Sequence, residues 1–209
     1  MKFHDRTHAA YLLAEELKKY AEANAVVLAI PRGGVPMGYV LAHQLSLPLD
    51  LIMVKKIGHP YNEEYAIGSV SLSDVIITDT HEATEEYIQQ QVVNIRKAMK
   101  EKYDRFMDGK KPTGLKDKIA ILVDDGLATG NTMLACIEQV RKSHPEKIVV
   151  AVPVASEHAY NLIESKVDEF ICLYTSADFY AVGQFYEKFD QVSDDAVIEL
   201  IKKVSPVLN

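Results

Sequence analysis

Two adjacent carboxylates and a run of small polar residues stand together in the segment VDDGLATGNT, from Val123 to Thr132. The two carboxylates can accept hydrogen bonds from a pair of neighbouring hydroxyls, or hold Mg²⁺, which prefers oxygen ligands. The residues after them suit a phosphate, because glycine permits close backbone approach and the start of a helix offers free N–H groups. We therefore predict a site for a ribose 5-phosphate built from Asp124, Asp125, Gly126, Leu127, Ala128, Thr129, Gly130, Asn131 and Thr132.

Other nucleotide-binding motifs fit this segment less well. A P-loop requires a lysine directly after its last glycine, whereas Asn131 follows Gly130. A dinucleotide-binding fingerprint requires three glycines at GxGxxG spacing, and this segment has only two. The alternative to a binding loop is an ordinary strand, turn and helix cap, since Asp, Gly, Thr and Asn favour turns in any protein.

Basic residues follow two other apolar runs. PRGG, at positions 31–34, comes directly after the run at 25–30, and Lys55 and Lys56 come after the run at 49–54. The amides of Gly33 and Gly34 and the guanidinium of Arg32 can turn toward a diphosphate, which arginine binds in a bidentate manner. The alternative is a set of exposed basic side chains in ordinary turns.

The elements that must position these residues alternate between strand and helix. Short apolar, β-branched runs predict buried strands at 25–30, 49–54, 118–123, 147–154 and 170–173, and helical periodicity predicts helices at 6–20, 35–45, 132–141 and 157–164. This order is typical of an α/β fold with a central parallel sheet flanked by helices. Because ligands of such sheets bind beyond the carboxyl ends of the strands, the predicted loops should share one edge.

Two segments depart from the alternation. Residues 55–80 mix charge, Gly and Pro with two short strand-like pieces, and we predict a long flexible excursion, in part a hairpin. Residues 82–107 contain no Gly or Pro and predict one long helix whose role the sequence does not indicate. With 209 residues, the chain is long enough for a single domain, with its core at about 24–172.

Composition narrows the function classes. A net charge of −7 argues against nucleic acid and anionic membranes as partners, so any phosphate site must be local. No apolar run approaches the roughly 20 residues that span a bilayer, and residues 1–13 lack the features of a secretory signal. Cys136 and Cys172 form no CxxC pattern, which favours free thiols and a cytoplasmic location. Homodimer formation stays open.

Taken together, these motifs resemble those of the type I phosphoribosyltransferase family. VDDGLATGNT is similar to the phosphoribosyl-diphosphate signature of that family, and PRGGVPMG, VKKIGHP and NEEYAIGSV are similar to an uncharacterised group of its predicted members. The resemblance covers residues 25–155 and implies a small-molecule donor, phosphoribosyl diphosphate, bound together with Mg²⁺ at Asp124 and Asp125. It also implies a pyrophosphate loop with a cis peptide between Arg32 and Gly33.

The resemblance assigns further roles. Lys55 and Lys56 would contact the pyrophosphate, and the segment that follows them would close over the site as a flap. The catalytic residues implied are Asp124, Asp125, Arg32 and Lys56. Charge builds on the leaving diphosphate during transfer, so these residues would work by neutralising it and by positioning the ribose.

The acceptor is not defined by the motifs. Family members that act on 6-oxopurines have Asp before Thr-Gly, whereas this chain has Ala128, which disfavours hypoxanthine and guanine. We expect a C-terminal hood at 174–190 to choose a nitrogenous, base-like acceptor, with Phe179 and Tyr180 stacking on a flat ring. These aromatic residues could equally serve packing. Two other functions stay open: a regulatory protein that binds phosphoribosyl diphosphate or a nucleotide without catalysis, and a hydrolase, for which no water-activating residue is evident.

Overall fold

The computed structural model describes residues 2–79 and 82–204, and for Glu64 the backbone only. Eight strands and six α-helices lie within these ranges. The strands are β1 (Ala25–Ala29), β2 (Leu49–Leu51), β3 (Val54–His59), β4 (Asn62–Ser71), β5 (Val75–Ile77), β6 (Ile119–Val123), β7 (Lys147–Ser156) and β8 (Glu169–Ser176). The helices are α1 (Arg6–Glu16), α2 (Gly34–Leu45), α3 (Glu85–Met107), α4 (Asn131–Arg141), α5 (Glu157–Glu164) and α6 (Asp194–Val204).

Five strands form the central sheet in the order β2-β1-β6-β7-β8, and every pair is parallel. The strands β1 and β6 run in register, with Val27 opposite Ile121 and Ala29 opposite Val123. Both faces of the sheet are covered, which explains why β1 and β6 are almost continuously apolar. The predicted α/β fold with a central parallel sheet flanked by helices is confirmed.

Side chains alternate between two hydrophobic layers. Val27, Ala29 and Ile121 point toward α1, α2 and α6, whereas Val26, Leu28 and Leu122 belong to the layer that contains α4 and α5. Both layers consist of residues that are almost fully buried. The sheet therefore holds the loops after β1 and β6 at fixed positions along one edge.

The excursion after β2 is a second, three-stranded antiparallel sheet, β3-β4-β5, and not a loop. Position 80, the end of the predicted excursion, lies outside the described residues. Ile57, Ile67 and Val70 pack against one face of α3 through Tyr87, Ile88, Val92 and Ile95.

The predicted strand at 49–54 is wrong at its end, because β2 stops at Leu51 and Val54 already begins β3. The long helix predicted at 82–107 is confirmed with a later start, at Glu85, where Thr84 caps it.

The hood contains residues from both ends of the described chain. Phe3 lies beside Tyr186 in an isolated parallel bridge, its N–H donates to the carbonyl oxygen of Phe185 (2.7 Å), and its own carbonyl accepts from the N–H of Glu187 (2.9 Å). The N–H of Lys188 donates to the carbonyl of His4 (2.9 Å). Residues 3–6 thus brace the segment 185–190 and bring the start of α1 to the site.

Candidate functional site

The loops after β1 and β6 open on one cleft of about 510 Å³. We call this space the cleft. Arg32 and Gly33 line it from the first loop, and Asp124, Asp125 and Thr132 line it from the second. The structure therefore brings together the predicted diphosphate and ribose-phosphate segments. The remaining lining residues are Arg6, Ile30, Pro31, Phe189, Asp190, Gln191 and Val192.

The first loop packs tightly against the second. A Cβ on Gly33 would lie 2.1 Å from Oδ2 of Asp125, and one on Gly34 would lie 2.5 Å from the carbonyl oxygen of Val123. Only glycine permits this approach, which brings the loop that carries Arg32 against the loop that carries the two carboxylates. The cis peptide lies between Pro31 and Arg32, so the predicted position between Arg32 and Gly33 is wrong by one residue.

The two carboxylates have different surroundings. Oδ1 of Asp124 accepts a hydrogen bond from the N–H of Asp125 (2.9 Å). Burial, together with the negative charge of Asp125, raises the pKa of Asp124 well above its ordinary value. Burial also raises the pKa of Asp125, although the charge and hydrogen bond of Arg6 oppose this rise. A second cation delivered by a ligand or a metal would favour the charged form of both groups.

Arg6 is a site residue that the sequence did not reveal. Its Nε donates to Oδ2 of Asp125 (2.8 Å), and one terminal nitrogen donates to the carbonyl oxygen of Asp190 (2.8 Å). Its guanidinium carbon lies 3.9 Å from the centre of the Phe189 ring. Asp5 caps the helix that Arg6 begins, but such a cap is common at any helix start, so it gave no signal of function.

The predicted ribose 5-phosphate segment divides, after its two carboxylates, into two parts. The N–H of Leu127 donates to the carbonyl of Val154 and its carbonyl accepts from the N–H of Ser156, both at 2.9 Å, so this residue is tied to β7 and its side chain is buried. Gly130, with φ of 77°, precedes α4 in the left-handed region. Residues 128–132 therefore carry the part of the predicted loop that can offer N–H groups to a phosphate, since the first turn of a helix leaves them without intrahelical acceptors.

The two predicted lysines point to opposite faces of β3. Both are exposed residues of β3, and neighbours in a strand point to opposite faces. Lys55 lies opposite Val70, on the face that packs against α3, whereas Lys56 lies opposite Ser69, whose hydroxyl contacts Gln139 of α4. Lys55 and Lys56 are not among the residues that line the cleft.

The predicted acceptor residues also lie apart from the cleft lining. Phe179 packs against Phe185, with ring centres 4.9 Å apart, and Tyr180 is 89% exposed. The aromatic residue that does line the cleft is Phe189, which stacks with Tyr186 at 5.0 Å. It falls inside the predicted hood at 174–190, but nothing in its local pattern distinguished it from its aromatic neighbours.

Two broader observations bear on ligands. Within residues 2–79 and 82–204, no group of three or more His, Cys, Asp or Glu side chains is arranged to hold a metal ion. The hard oxygen donors of Asp124 and Asp125 suit Mg²⁺ if a ligand supplies further oxygens. In the same ranges, no helix is both long and apolar enough to cross a bilayer.

Comparison with known proteins gives a consistent result. A family model described as a phosphoribosyl transferase domain matches residues 5–190. A Mycobacterium tuberculosis protein that carries a provisional phosphoribosyl transferase name is 35% identical over 210 residues, which cover 96% of this chain and 46% of the relative. The chain thus spans about half the length of the curated relatives it matches.

Solved structures agree on the fold. The protein TT1426 from Thermus thermophilus has a TM-score of 0.88 and 34% identity, over 97% of this chain and 99% of that one. The AQ2163 protein from Aquifex aeolicus, with a TM-score of 0.51 and 16% identity over 82% and 73% of the two chains, shares the fold alone. The resemblance noted from the motifs is confirmed, and the chain belongs to the phosphoribosyl transferase family.

Proposed function

We propose that the protein transfers a 5-phosphoribosyl group from phosphoribosyl diphosphate to a nitrogenous acceptor and releases pyrophosphate. The observation that carries this proposal is the shared cleft, in which Asp124 and Asp125 lie beside Arg32 and Gly33. One loop offers acceptors for a ribose diol, and the other offers a guanidinium for a diphosphate. The family supports the same activity.

The residues divide the work of the reaction. The bond from ribose C1 to the diphosphate oxygen breaks and its electron pair leaves with pyrophosphate, a bond from C1 to the acceptor nitrogen forms, and that nitrogen loses a proton to solvent. Asp124 and Asp125 would fix the ribose hydroxyls, and the N–H groups of residues 128–132 would anchor the 5-phosphate. Arg32 would neutralise the charge that builds on the leaving diphosphate. Mg²⁺, held by Asp124 and Asp125 together with the diphosphate, would add positive charge there.

The acceptor and the roles of several residues stay predictions. Ala128 supports an acceptor other than a 6-oxopurine, and Phe189 supports a flat ring, since it is an aromatic residue of the cleft lining. Phe179 and Tyr180 remain proposed acceptor contacts, which would require Tyr180 to approach from its exposed position. The assignment of Lys56 to catalysis, a flexible flap, a single domain, a homodimer and a cytoplasmic location are also still predictions.

One experiment separates the enzyme from a regulatory protein that only binds the donor. The protein is incubated with Mg²⁺, phosphoribosyl diphosphate and each member of a panel of bases, and pyrophosphate release is measured. Release that depends on the acceptor supports the transferase. Tight donor binding without release across the panel supports the regulatory alternative.

The site itself is tested by the double substitution Asp124→Asn and Asp125→Asn. We expect it to abolish binding of phosphoribosyl diphosphate in calorimetry, because neutral amides neither hold Mg²⁺ strongly nor accept as well from a diol. An unchanged melting temperature would show that the variant is folded. Unchanged affinity would contradict the assignment of these carboxylates.

A further inference from the structure

The helix α3 presents two basic residues toward the diphosphate side of the cleft. Nζ of Lys102 and the guanidinium carbon of Arg105 lie 5.4 and 5.6 Å from the centre of the same Phe106 ring. Phe106 is almost fully buried, so the two cations lie beside a ring that belongs to the core. Neither residue belongs to the signature segments or to the lining of the cleft.

A single carboxylate connects this helix to the predicted diphosphate loop. Asp194, the first residue of α6, contacts Arg32 through Oδ1 at 3.4 Å and contacts Arg105 through Oδ2. Two guanidinium groups from distant parts of the chain therefore face the two oxygens of one carboxylate. A phosphate group also presents paired oxygens with negative charge, and arginine forks bind both kinds of group in the same geometry.

Lys55 joins the same region. It lies on the face of β3 that packs against α3, as the pairing with Val70 shows. Burial lowers the pKa of Lys102, and the positive charges of Arg32, Lys55 and Arg105 lower it further. We call Arg32, Lys55, Lys102 and Arg105 the cationic cluster. In a chain with a net charge of −7, this cationic cluster is a local excess of positive charge, and two of its members, Arg32 and Arg105, contact Asp194.

We propose that Arg105 and Lys102 complete the diphosphate subsite, and that Asp194 occupies the place between Arg32 and Arg105 until a diphosphate displaces it. This inference rests on the proposed function, because it assigns residues to the diphosphate of the proposed donor. It also gives α3 a role: the helix carries two ligand-binding residues in addition to supporting the small sheet. A phosphate between the two arginines would meet more positive charge than Arg32 alone provides.

The test measures binding of inorganic pyrophosphate with Mg²⁺ to the full chain by calorimetry. Arg105→Gln should weaken binding roughly tenfold, as expected for the loss of one charge-assisted contact. Lys102→Gln should weaken it in the same direction. Lys97→Gln is the matched control, because it removes one positive charge from an exposed position two turns earlier on the same helix. Equal affinities of the Arg105 and Lys97 variants would overturn the proposal.

A second variant tests the displaced carboxylate. Asp194→Asn removes the competing charge and should tighten pyrophosphate binding by about two- to fivefold, the range for a partly exposed ion pair. Unchanged or weaker binding would contradict the role given to Asp194. Failure of the proposed function would look different: no base in the panel would cause the wild-type protein to release pyrophosphate from phosphoribosyl diphosphate. Failure of this inference alone leaves that release intact and leaves Arg105→Gln without effect on pyrophosphate binding.

Discussion

At the scale of single residues, the two carboxylates of the cleft carry more negative charge than their hydrogen-bonded cation offsets. Two neighbouring carboxylates, Asp124 and Asp125, are buried together, and one guanidinium, from Arg6, makes a hydrogen bond to only one of them. Burying like charges side by side is costly unless cations or protons compensate. These two carboxylates therefore favour added positive charge, which Mg²⁺ brought with a diphosphate would supply.

Arg6 gives a prediction at this scale. The cation favours the charged form of Asp125, so Arg6→Gln should raise the pKa of this carboxyl further above its ordinary value. Donor binding that needs the charged carboxylate is lost as pH falls through the pKa, and the variant should therefore lose affinity at a higher pH than the wild type. We expect a roughly tenfold weaker affinity for phosphoribosyl diphosphate near neutral pH, the usual value of a charge-assisted contact.

The measurement is the dissociation constant of phosphoribosyl diphosphate as a function of pH, for the wild type and for Arg6→Gln. Arg6→Lys is the control, since it keeps the positive charge while changing the hydrogen-bond geometry. Its pH profile should lie closer to the wild type. If all three profiles coincide, Arg6 does not govern the charge of Asp125.

At the scale of elements, the sequence predicted the central sheet well. Strands buried on both faces are continuous apolar runs. Pro31 follows β1 after one residue, Asp124 follows β6 directly, and β7 ends at the helix cap Ser156, so the positions of these strands can be predicted from local sequence. The segment after β2 was harder. Only two short strand-like pieces and part of a hairpin were predicted there, because the full three-stranded sheet is held by packing against α3, which lies later in the chain.

The same reason explains which features of the site the sequence indicated and which it did not. Asp124, Asp125, Arg32 and Gly33 sit in local motifs at strand ends, so their meeting in one cleft followed from the parallel order. The separation of Lys55 from Lys56 depends on a strand pairing that the sequence did not show. The contribution of Arg6 depends on contacts more than one hundred residues away in sequence.

Gly34 tests how strongly the two loops depend on each other. A Cβ at this position would lie 2.5 Å from the backbone oxygen of Val123, and a backbone atom cannot move aside as a flexible side chain can. Gly34→Ala should therefore displace the loop that carries Arg32, weaken pyrophosphate binding, and destabilise the protein by about 1–3 kcal/mol, as overpacking does.

Gly114→Ala is the matched control, because a Cβ there meets no atom within 4 Å. Melting temperature and the affinity for magnesium pyrophosphate are measured for both variants. A protein of this size should lose about 2–4 °C for each kcal/mol. Equal behaviour of the two variants would mean that the close approach of the loops is not required.

At the scale of the whole molecule, one side of the cleft is formed by segments that lie far apart in the chain. Residues 3–6 and 185–190 bind each other through backbone hydrogen bonds, and Arg6 then joins Asp190 and Phe189 to Asp125. The sequence predicted a hood at 174–190. It did not predict that residues 3–6 pair with this hood, because two short segments far apart in the chain share no periodic pattern. The segment 185–190 is therefore held in place by its tertiary pairing with residues 3–6.

Phe3 is the apolar contact on which this pairing rests. Its side chain is fully buried, and its ring lies 5.6 Å from that of Tyr186, whose hydroxyl donates to the carbonyl oxygen of Asp125 (2.6 Å). Phe3→Ala keeps every backbone hydrogen bond possible but removes the ring. We expect a loss of about 3–5 kcal/mol in the free energy of unfolding, the usual cost of truncating a buried phenylalanine. The amides of residues 185–190 should also exchange faster with solvent, because local opening of the hood becomes easier.

Tyr11→Ala is the control, since it removes an aromatic ring that is 49% exposed on α1. Denaturant unfolding and hydrogen exchange are measured for both variants, and the idea that Phe3 holds the hood fails if Phe3→Ala is no less stable than Tyr11→Ala.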